Sequence, residues 1–254
     1  MPVKKLIRRL IKKMGFQLTR YPHATASSDP YLFMQHFCKR ISAPIIFDVG
    51  AHHGHVSMLL SNLLPNAQIY AFEPFHESFL VLQNNTRGNS HIRCFNFGLS
   101  DIEGVQKFHS NPSSATNSLL STDEAGPTTW GKGLLETKSV INDRFRTLDS
   151  VVRELELPKI DLLKMDVQGA EHLVLKGAEQ CCSRKFIHLV FSEIITQPTY
   201  QGQLRFDDAL AAFYDRGFDL YHLFELSRDN KGCLRQLDAL FVQKGETFDS
   251  LKSF

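Results

Sequence analysis

The sequence predicts an α/β fold, a mostly parallel sheet covered by helices on both faces. Three observations predict it. Short apolar runs bounded by turn residues alternate with segments of helical spacing through most of the chain. Four carboxylates, Asp48, Glu73, Asp166 and Glu193, fall at the carboxyl ends of expected core strands, the edge along which open α/β sheets bind ligands. Finally, 254 residues with 43% hydrophobic content suffice for one large domain with a sizeable core.

Taken in order, residues 3–14 place Val3, Leu6, Ile7, Leu10, Ile11 and Met14 on one helical face and Lys/Arg pairs on the other. Such a basic amphipathic helix either makes peripheral contact with an anionic membrane or an acidic partner, or packs on the fold with its charged side in water. Residues 21–30 read as a linker and Tyr31–Ile41 as a helix leading into the core. The expected division is a leading segment, 1–43, and a main domain, 44–254. The first twenty residues hold seven bases and no acid; the remainder has five more acids than bases, which argues against a nucleic-acid groove on the main domain. Cys38, Cys94, Cys181, Cys182 and Cys233 lack metal or redox spacing and read as reduced thiols. No apolar run reaches the length of a membrane span and no signal-peptide core follows the early bases. The expectation is therefore a cytoplasmic protein, peripheral to the inner face of a membrane if residues 3–14 bind lipid.

Ile45–Val49 reads as a buried strand running into a turn with Gly50 and Gly54. The apolar helical face of Val56, Met58, Leu59, Leu60, Leu63 and Leu64 follows, and then a second strand, Gln68–Phe72, ending in Glu73. In this β-α-β unit the glycines let a ligand approach the backbone, and the helix starting near Gly54 points unpaired N–H groups toward it. Glu73 can accept two hydrogen bonds from a ribose diol. The dinucleotide fingerprint needs glycine where His52 stands, and Asp48 at the mouth of the turn suits a cationic or hydroxylated ligand better than a phosphate. Both points favour S-adenosylmethionine, which has an amino group, a sulfonium and a ribose diol but no phosphate. An ordinary tight turn is the plainer reading of the same pattern.

Further on, Phe75–Asn85 has helical spacing and His91–Phe97 is a third strand. Residues 98–108 read as a turn, a short loop and an added strand. Leu99 and Ser100 are candidates for contact with an adenine ring there, although a plain hairpin would look the same. Residues 109–137, polar and carrying the only tryptophan, Trp130, read as a substrate loop or lid. Arg144-Phe145-Arg146 reads as a solvated strand edge or, less simply, as a contact for an anionic part of the substrate. Thr147–Leu155 is an expected helix and Ile160–Met165 a buried strand ending in Asp166. A helix runs through Leu173 to Ala178, and a strand from Phe186 to Phe191 ends at Ser192-Glu193. A helix at Phe206–Tyr214 and strands at Phe218–Phe224 and Asp238–Val242 close the chain.

Asp166 could serve a ligand or simply cap the helix beginning near Gly169, and Glu171 could face the same cleft or solvent. His52, His53 and His55 cluster in the turn, where one could act as a base or all could face water. They show no metal-binding helix spacing.

The stretches Phe47–Gly54, Ala71–Pro74, Gly98–Asp101 with Gly104, Asn117–Leu119 and above all Leu163–Glu171 continuing through Leu175-Lys176-Gly177-Ala178 resemble the FkbM-type family of S-adenosylmethionine-dependent O-methyltransferases. The resemblance spans roughly residues 44–244. It implies a Rossmann-like class I methyltransferase with a mostly parallel seven-stranded sheet whose last strand is antiparallel. It also implies methyl transfer to a hydroxyl, often on a sugar of a glycan, glycolipid or secondary metabolite, and cofactor roles for Asp48, Gly50, Gly54 and Glu73, with His52 beside them. The family commonly has Glu where this chain has Gln168, which leaves Asp166 and Glu171 as the acidic pair.

A sugar hydroxyl is a poor nucleophile, so its proton must be removed as the new bond forms. The candidate bases are Asp166, Glu193 and a histidine of the turn, His53 foremost. Alternatively, a divalent cation such as magnesium, held by Asp166, Glu171 and Glu193, could polarise the hydroxyl. Two other readings remain open from sequence: an NAD-dependent oxidoreductase, opposed by His52 and by the lack of a Tyr-x-x-x-Lys pair, and a non-catalytic adapter retaining the fold.

Overall fold

Two runs, Ile45–Val49 and Ile160–Met165, are buried at every position. Only the centre of a parallel sheet covered on both faces accommodates such runs, and the two lie side by side in parallel with Asp48 opposite Lys164. The computed structural model describes residues 29–131 and 133–245. The expected basic helix at residues 3–14 lies outside the described residues.

In chain order the elements are α1 (Pro30–Cys38), β1 (Ile45–Val49), α2 (His55–Leu63), β2 (Gln68–Phe72), α3 (His76–Asn85), β3 (Ile92–Phe95), β4 (Gly98–Leu99), β5 (Gly104–Ser110), α4 (Gly126–Trp130), β6 (Ser139–Arg146), α5 (Leu148–Glu154), β7 (Ile160–Met165), α6 (Glu171–Lys176), α7 (Glu179–Ser183), β8 (Ile187–Ile195), α8 (Phe206–Tyr214), β9 (Phe218–Arg228) and β10 (Leu234–Gln243). Seven strands form one sheet in the order β3-β2-β1-β7-β8-β10-β9. The last strand, β10, runs antiparallel to both of its neighbours, and the other neighbouring pairs are parallel. This is the Rossmann-like methyltransferase sheet. The connections run outward in opposite directions from β1 and β7, so a crevice opens at their carboxyl ends.

Alternation along the strands divides the core in two. Phe47, Val49, Phe72, Leu163, Met165 and Val190 point to one face, where α5 to α8 cover them. Ile46, Ala71, Leu162, Leu189 and Phe191 point to the other, where α1 to α3 contribute Phe33, Met34, Phe37, Leu60 and Leu82. Asp29 caps α1 by accepting from the amides of Tyr31 and Leu32, and Thr147 caps α5 through the Ser150 amide.

Three expectations are corrected. The region after β3 is not a hairpin: β4 and β5 flank β6 in a separate three-stranded sheet, with β4 parallel and β5 antiparallel to it. Residues 144–146 are accordingly part of a central strand. Phe145 is buried, and Arg146 pairs with Glu154 at 2.6 Å. β8 continues two residues past Glu193, so that carboxylate stands inside a strand rather than at its end. Pairing with β10 prolongs it, Gln236 lying opposite Ile195.

Candidate active site

The turn after β1 is shaped by backbone that only glycine tolerates easily. Gly50 has φ +76°, and a Cβ there would lie 1.9 Å from the Asp166 carbonyl oxygen. The turn is thus pressed onto the end of β7. The amides of Gly50 and Ala51 both donate to the Phe72 carbonyl, at 3.1 and 3.0 Å. Gly54, at φ +82°, opens α2 without a side-chain cap, so the first amides of that helix remain available to a ligand.

Glu73 closes the turn from the β2 side. Its Oε2 accepts from the His52 amide at 2.8 Å and its Oε1 from the Phe75 amide at 2.9 Å. Burial pushes its carboxyl up to about 7, against the lowering effect of those two amides. Each oxygen retains a second lone pair, which is what a vicinal diol requires. Asn96 secures the backbone here by donating to the carbonyls of Glu73 and Pro74.

Asp48 does not face this cleft, contrary to the expectation of direct cofactor contact. It is fully buried, with Oδ2 accepting from the Ser57 hydroxyl and Oδ1 3.0 Å from Lys164 Nζ. Burial opposes the Lys164 charge, but Asp48 and Asp166 more than offset it and hold its pKa above the ordinary value. Lys164 also donates to the Gly50 carbonyl at 3.2 Å. Asp48 therefore anchors the turn through a buried cation.

Leu99 and Ser100, expected beside an adenine ring, are likewise buried. Leu99 belongs to the core, and Ser100 is fully buried, with its carbonyl pressed against Gly177. The pairing of β4 with β6 draws both residues beneath the surface.

Of the turn histidines, His52 matters most. Its Nε2 lies 2.8 Å from the Ser114 hydroxyl, tying the turn to the polar excursion. Burial first, and then His53 and His55, pull its pKa down to about 4, so the ring is neutral at pH 7. His53 stacks on it with ring centroids 3.7 Å apart, and its carbonyl accepts from Asn85. Among the described residues no hydrogen bond or ion pair joins His53 to a carboxylate.

The acidic edge is organised by Gln168, which is held at φ +56°. Its amide nitrogen donates to Asp166 Oδ1 and to Glu193 Oε2, each at 2.9 Å. Its carbonyl oxygen lies 3.0 Å from the Tyr200 hydroxyl, and its backbone carbonyl accepts from Ser118. Asp166 remains 41% exposed at its side chain. Burial, followed by the charges of Asp166, Glu171 and Asp238, raises Glu193 well above the usual carboxylate range. Asp238, directly across from Glu193 on β10, is pushed up to about 7, chiefly by burial.

The expected metal set of Asp166, Glu171 and Glu193 is not formed. Glu171 turns its carboxylate back to accept from the amides of Val167 and Gly169, and burial raises it to about 7. The space between Asp166 and Glu193 holds two N–H donors of Gln168, which repel a cation. Among the described residues no group of three His, Cys, Asp or Glu side chains is placed to hold a metal ion.

Sequence reasoning missed Tyr200, Gln236 and Asp238. Tyr200 follows a loop without pattern. The other two become visible only through the register of β10 on β8, with Gln236 opposite Ile195 and Asp238 opposite Glu193.

The methyltransferase strand order, the glycine cradle against β7 and a buried carboxylate with free lone pairs at the end of β2 define a class: S-adenosylmethionine-dependent methyltransferases of Rossmann-like fold. Residues 48–220 match the model of the methyltransferase FkbM domain, and the chain belongs to that family. The NAD-dependent oxidoreductase reading is thereby set aside. The chain is similar to the 2-O-methyltransferase NoeI of Sinorhizobium fredii, at 31% identity over 63% of this chain and 67% of that protein. It is also similar to the methyltransferase sdnD of Sordaria araneosa, at 32% over 55% and 62%. A third relative is the hexuronic acid methyltransferase AglP of Haloferax volcanii, at 28% over 52% and 49%. The chain thus spans about half to two thirds of the length of these three relatives.

Proposed function

We propose that this chain methylates a hydroxyl group of a sugar, removing the hydroxyl proton with a carboxylate rather than through a bound metal ion. The observation that carries the reading is Gln168, whose amide spans Asp166 and Glu193 beside the Gly50 turn. The name of one relative, the 2-O-methyltransferase NoeI, supports transfer to oxygen, and that of another, the hexuronic acid methyltransferase AglP, supports a carbohydrate acceptor.

S-adenosylmethionine, held by the Gly50–Gly54 turn and by Glu73, supplies an electrophilic methyl group. The rest of the chemistry falls to the chain. Asp166 is the accessible carboxylate, and its backbone carbonyl touches the turn, so it stands where an incoming hydroxyl meets the cofactor site. It accepts the hydroxyl proton. Gln168 fixes its rotamer by engaging Oδ1, and Oδ2, 3.8 Å from Lys164 Nζ, is the oxygen that meets the acceptor. Glu193 holds the other hydrogen of the same amide and keeps Gln168 from turning away. A base positioned in this way contributes about 10²- to 10⁴-fold.

The test is transfer of a labelled methyl group from S-adenosylmethionine to a panel of methyl glycosides and the matching uronides in the presence of a chelator. The expected product is a base-stable methyl ether. A base-labile methyl ester, or no transfer until magnesium is restored, would contradict the reading.

A further inference from the structure

Beside the carboxylate array lies a cavity of about 150 Å³ between the polar excursion and the ends of β8 and β10, lined by Trp130, Tyr200, Gln168, Gln236, Thr116 and Leu135 among others. We propose that this cavity seats the acceptor as a single uncharged pyranose ring, stacked on Trp130 and recognised through Gln236. The proposal rests on the methyl-transfer reading above and specifies its substrate site.

Size comes first. The volume is roughly ten times what one water needs, which is room for a sugar ring and not for a folded polyketide or a peptide. The walls then set the chemistry. Trp130 is held rigidly: its Nε1 donates to Thr199 Oγ1 at 2.8 Å, and the Arg235 guanidinium sits 4.1 Å from the ring centroid on one face. Arg235 is not among the residues that line the cavity, whereas Trp130 is. An electron-rich ring matches the C–H face of a pyranose, whose hydrogens carry slight positive charge.

Polar groups complete the site. Gln236 borders the cavity, and among the described residues its amide is engaged by no other group. An amide with a donor and an acceptor side by side suits a sugar hydroxyl pair. Thr116 and Tyr200 add oxygen atoms from two further segments, with the Tyr200 hydroxyl 3.0 Å from both the Thr116 carbonyl and Gln168. Among the described residues the lining contains no charged side chain. A sugar carboxylate would find no charged partner among them and would lose its hydration on entering, which favours a neutral ring.

The cavity also communicates with the chemistry. Gln168 belongs to both, its carbonyl side meeting Tyr200 and its nitrogen meeting Asp166. Ring hydroxyls on the Gln168 side are thus the ones presented to Asp166. Leu135, Ile195 and Tyr200, with Leu120 and Trp130 against them, form a small separate core that holds the excursion on β8. The cavity is consequently part of the folded structure and does not depend on a loop closing.

Trp130 is the only tryptophan, so its emission reports on the cavity directly. The experiment titrates the full chain, loaded with S-adenosylhomocysteine, with methyl glycosides of the common hexoses and 6-deoxyhexoses. The matching uronides and cyclohexanol serve as comparisons. The proposal expects a saturable emission change with at least one neutral glycoside and none with its uronide or with cyclohexanol. Gln236→Leu is expected to weaken that glycoside about tenfold, the cost of a lost hydrogen-bonding partner, with S-adenosylhomocysteine affinity unchanged by calorimetry. Three results would overturn it: no response to any glycoside while the nucleoside binds normally, an equal response to uronide or cyclohexanol, or unaltered glycoside affinity in Gln236→Leu. Failure of the nucleoside itself to bind would overturn the methyltransferase reading along with this one.

Discussion

On the β1–β2 side of the crevice, each Glu73 oxygen accepts one backbone amide, from His52 and from Phe75, and the Phe72 carbonyl takes the amides of Gly50 and Ala51. On the β7–β8 side, Gln168, Tyr200, Ser118 and Trp130 hold one another and their neighbours mainly through side chains drawn from separate segments. The first half is a backbone construction and the second a side-chain one. A backbone cradle accepts one ligand shape and tolerates little change at its glycines. A side-chain array can be altered residue by residue without disturbing the main chain that carries it.

Breaking the cradle is the severest test of this contrast. Gly50→Ala would set a methyl group 1.9 Å from a main-chain oxygen at φ +76°, where neither partner can yield. A stability loss of about 3 kcal/mol or more is expected, together with loss of cofactor binding. Thermal melting and calorimetric titration would read both. A variant that folds and binds normally would show that the turn is not pressed on β7 as described.

Next in size is Asp166→Asn. The side-chain half should lose kcat by about 10² to 10⁴ while calorimetric affinity for S-adenosylmethionine is retained. His53→Ala should leave kcat close to wild type, since among the described residues no hydrogen bond or ion pair joins His53 to the array. A reversal of these two results would move the base to the turn.

A smaller effect sharpens the role of Glu73. Its carboxyl titrates near 7 in the folded chain against an ordinary 4.5, so the folded state holds a proton that the unfolded chain has released. The stability this contributes is fully present below about 4.5 and is lost as pH rises through about 7, amounting to up to about 3 kcal/mol. The cofactor-free protein should therefore show a melting temperature that falls between pH 5 and pH 7.5. Glu73→Gln should flatten that slope; an unchanged slope would assign it to Glu171 or Asp238, which are raised in the same way.

Much of the cradle was legible in the sequence because its signals are local. Gln68–Phe72, Ile160–Met165 and Phe206–Tyr214 have the bounds expected from apolar periodicity, and glycine spacing marks the turn. What was not legible depends on distant pairing. β6 hides among polar residues because one of its faces meets water, and Asp48 reads as a ligand until Lys164 is found opposite it on β7. Gln168 stands out as a departure from the family pattern, but the reason for an amide there emerges only when β8 brings Glu193 within 2.9 Å of it.

The central claim, that an amide bridge takes the place of a metal ion between the two carboxylates, is tested most directly by pH–rate profiles. Wild type and Gln168→Glu would each be measured with a chelator and with magnesium. The account predicts that wild type is equally active in both, because the Gln168 amide already spans the two carboxylates. In Gln168→Glu a third carboxylate beside Asp166 and Glu193 should move the acid limb of the profile to higher pH, depress activity under chelation and make it respond to magnesium. A wild-type enzyme silenced by the chelator and restored by magnesium, or identical profiles for the two proteins, would contradict it.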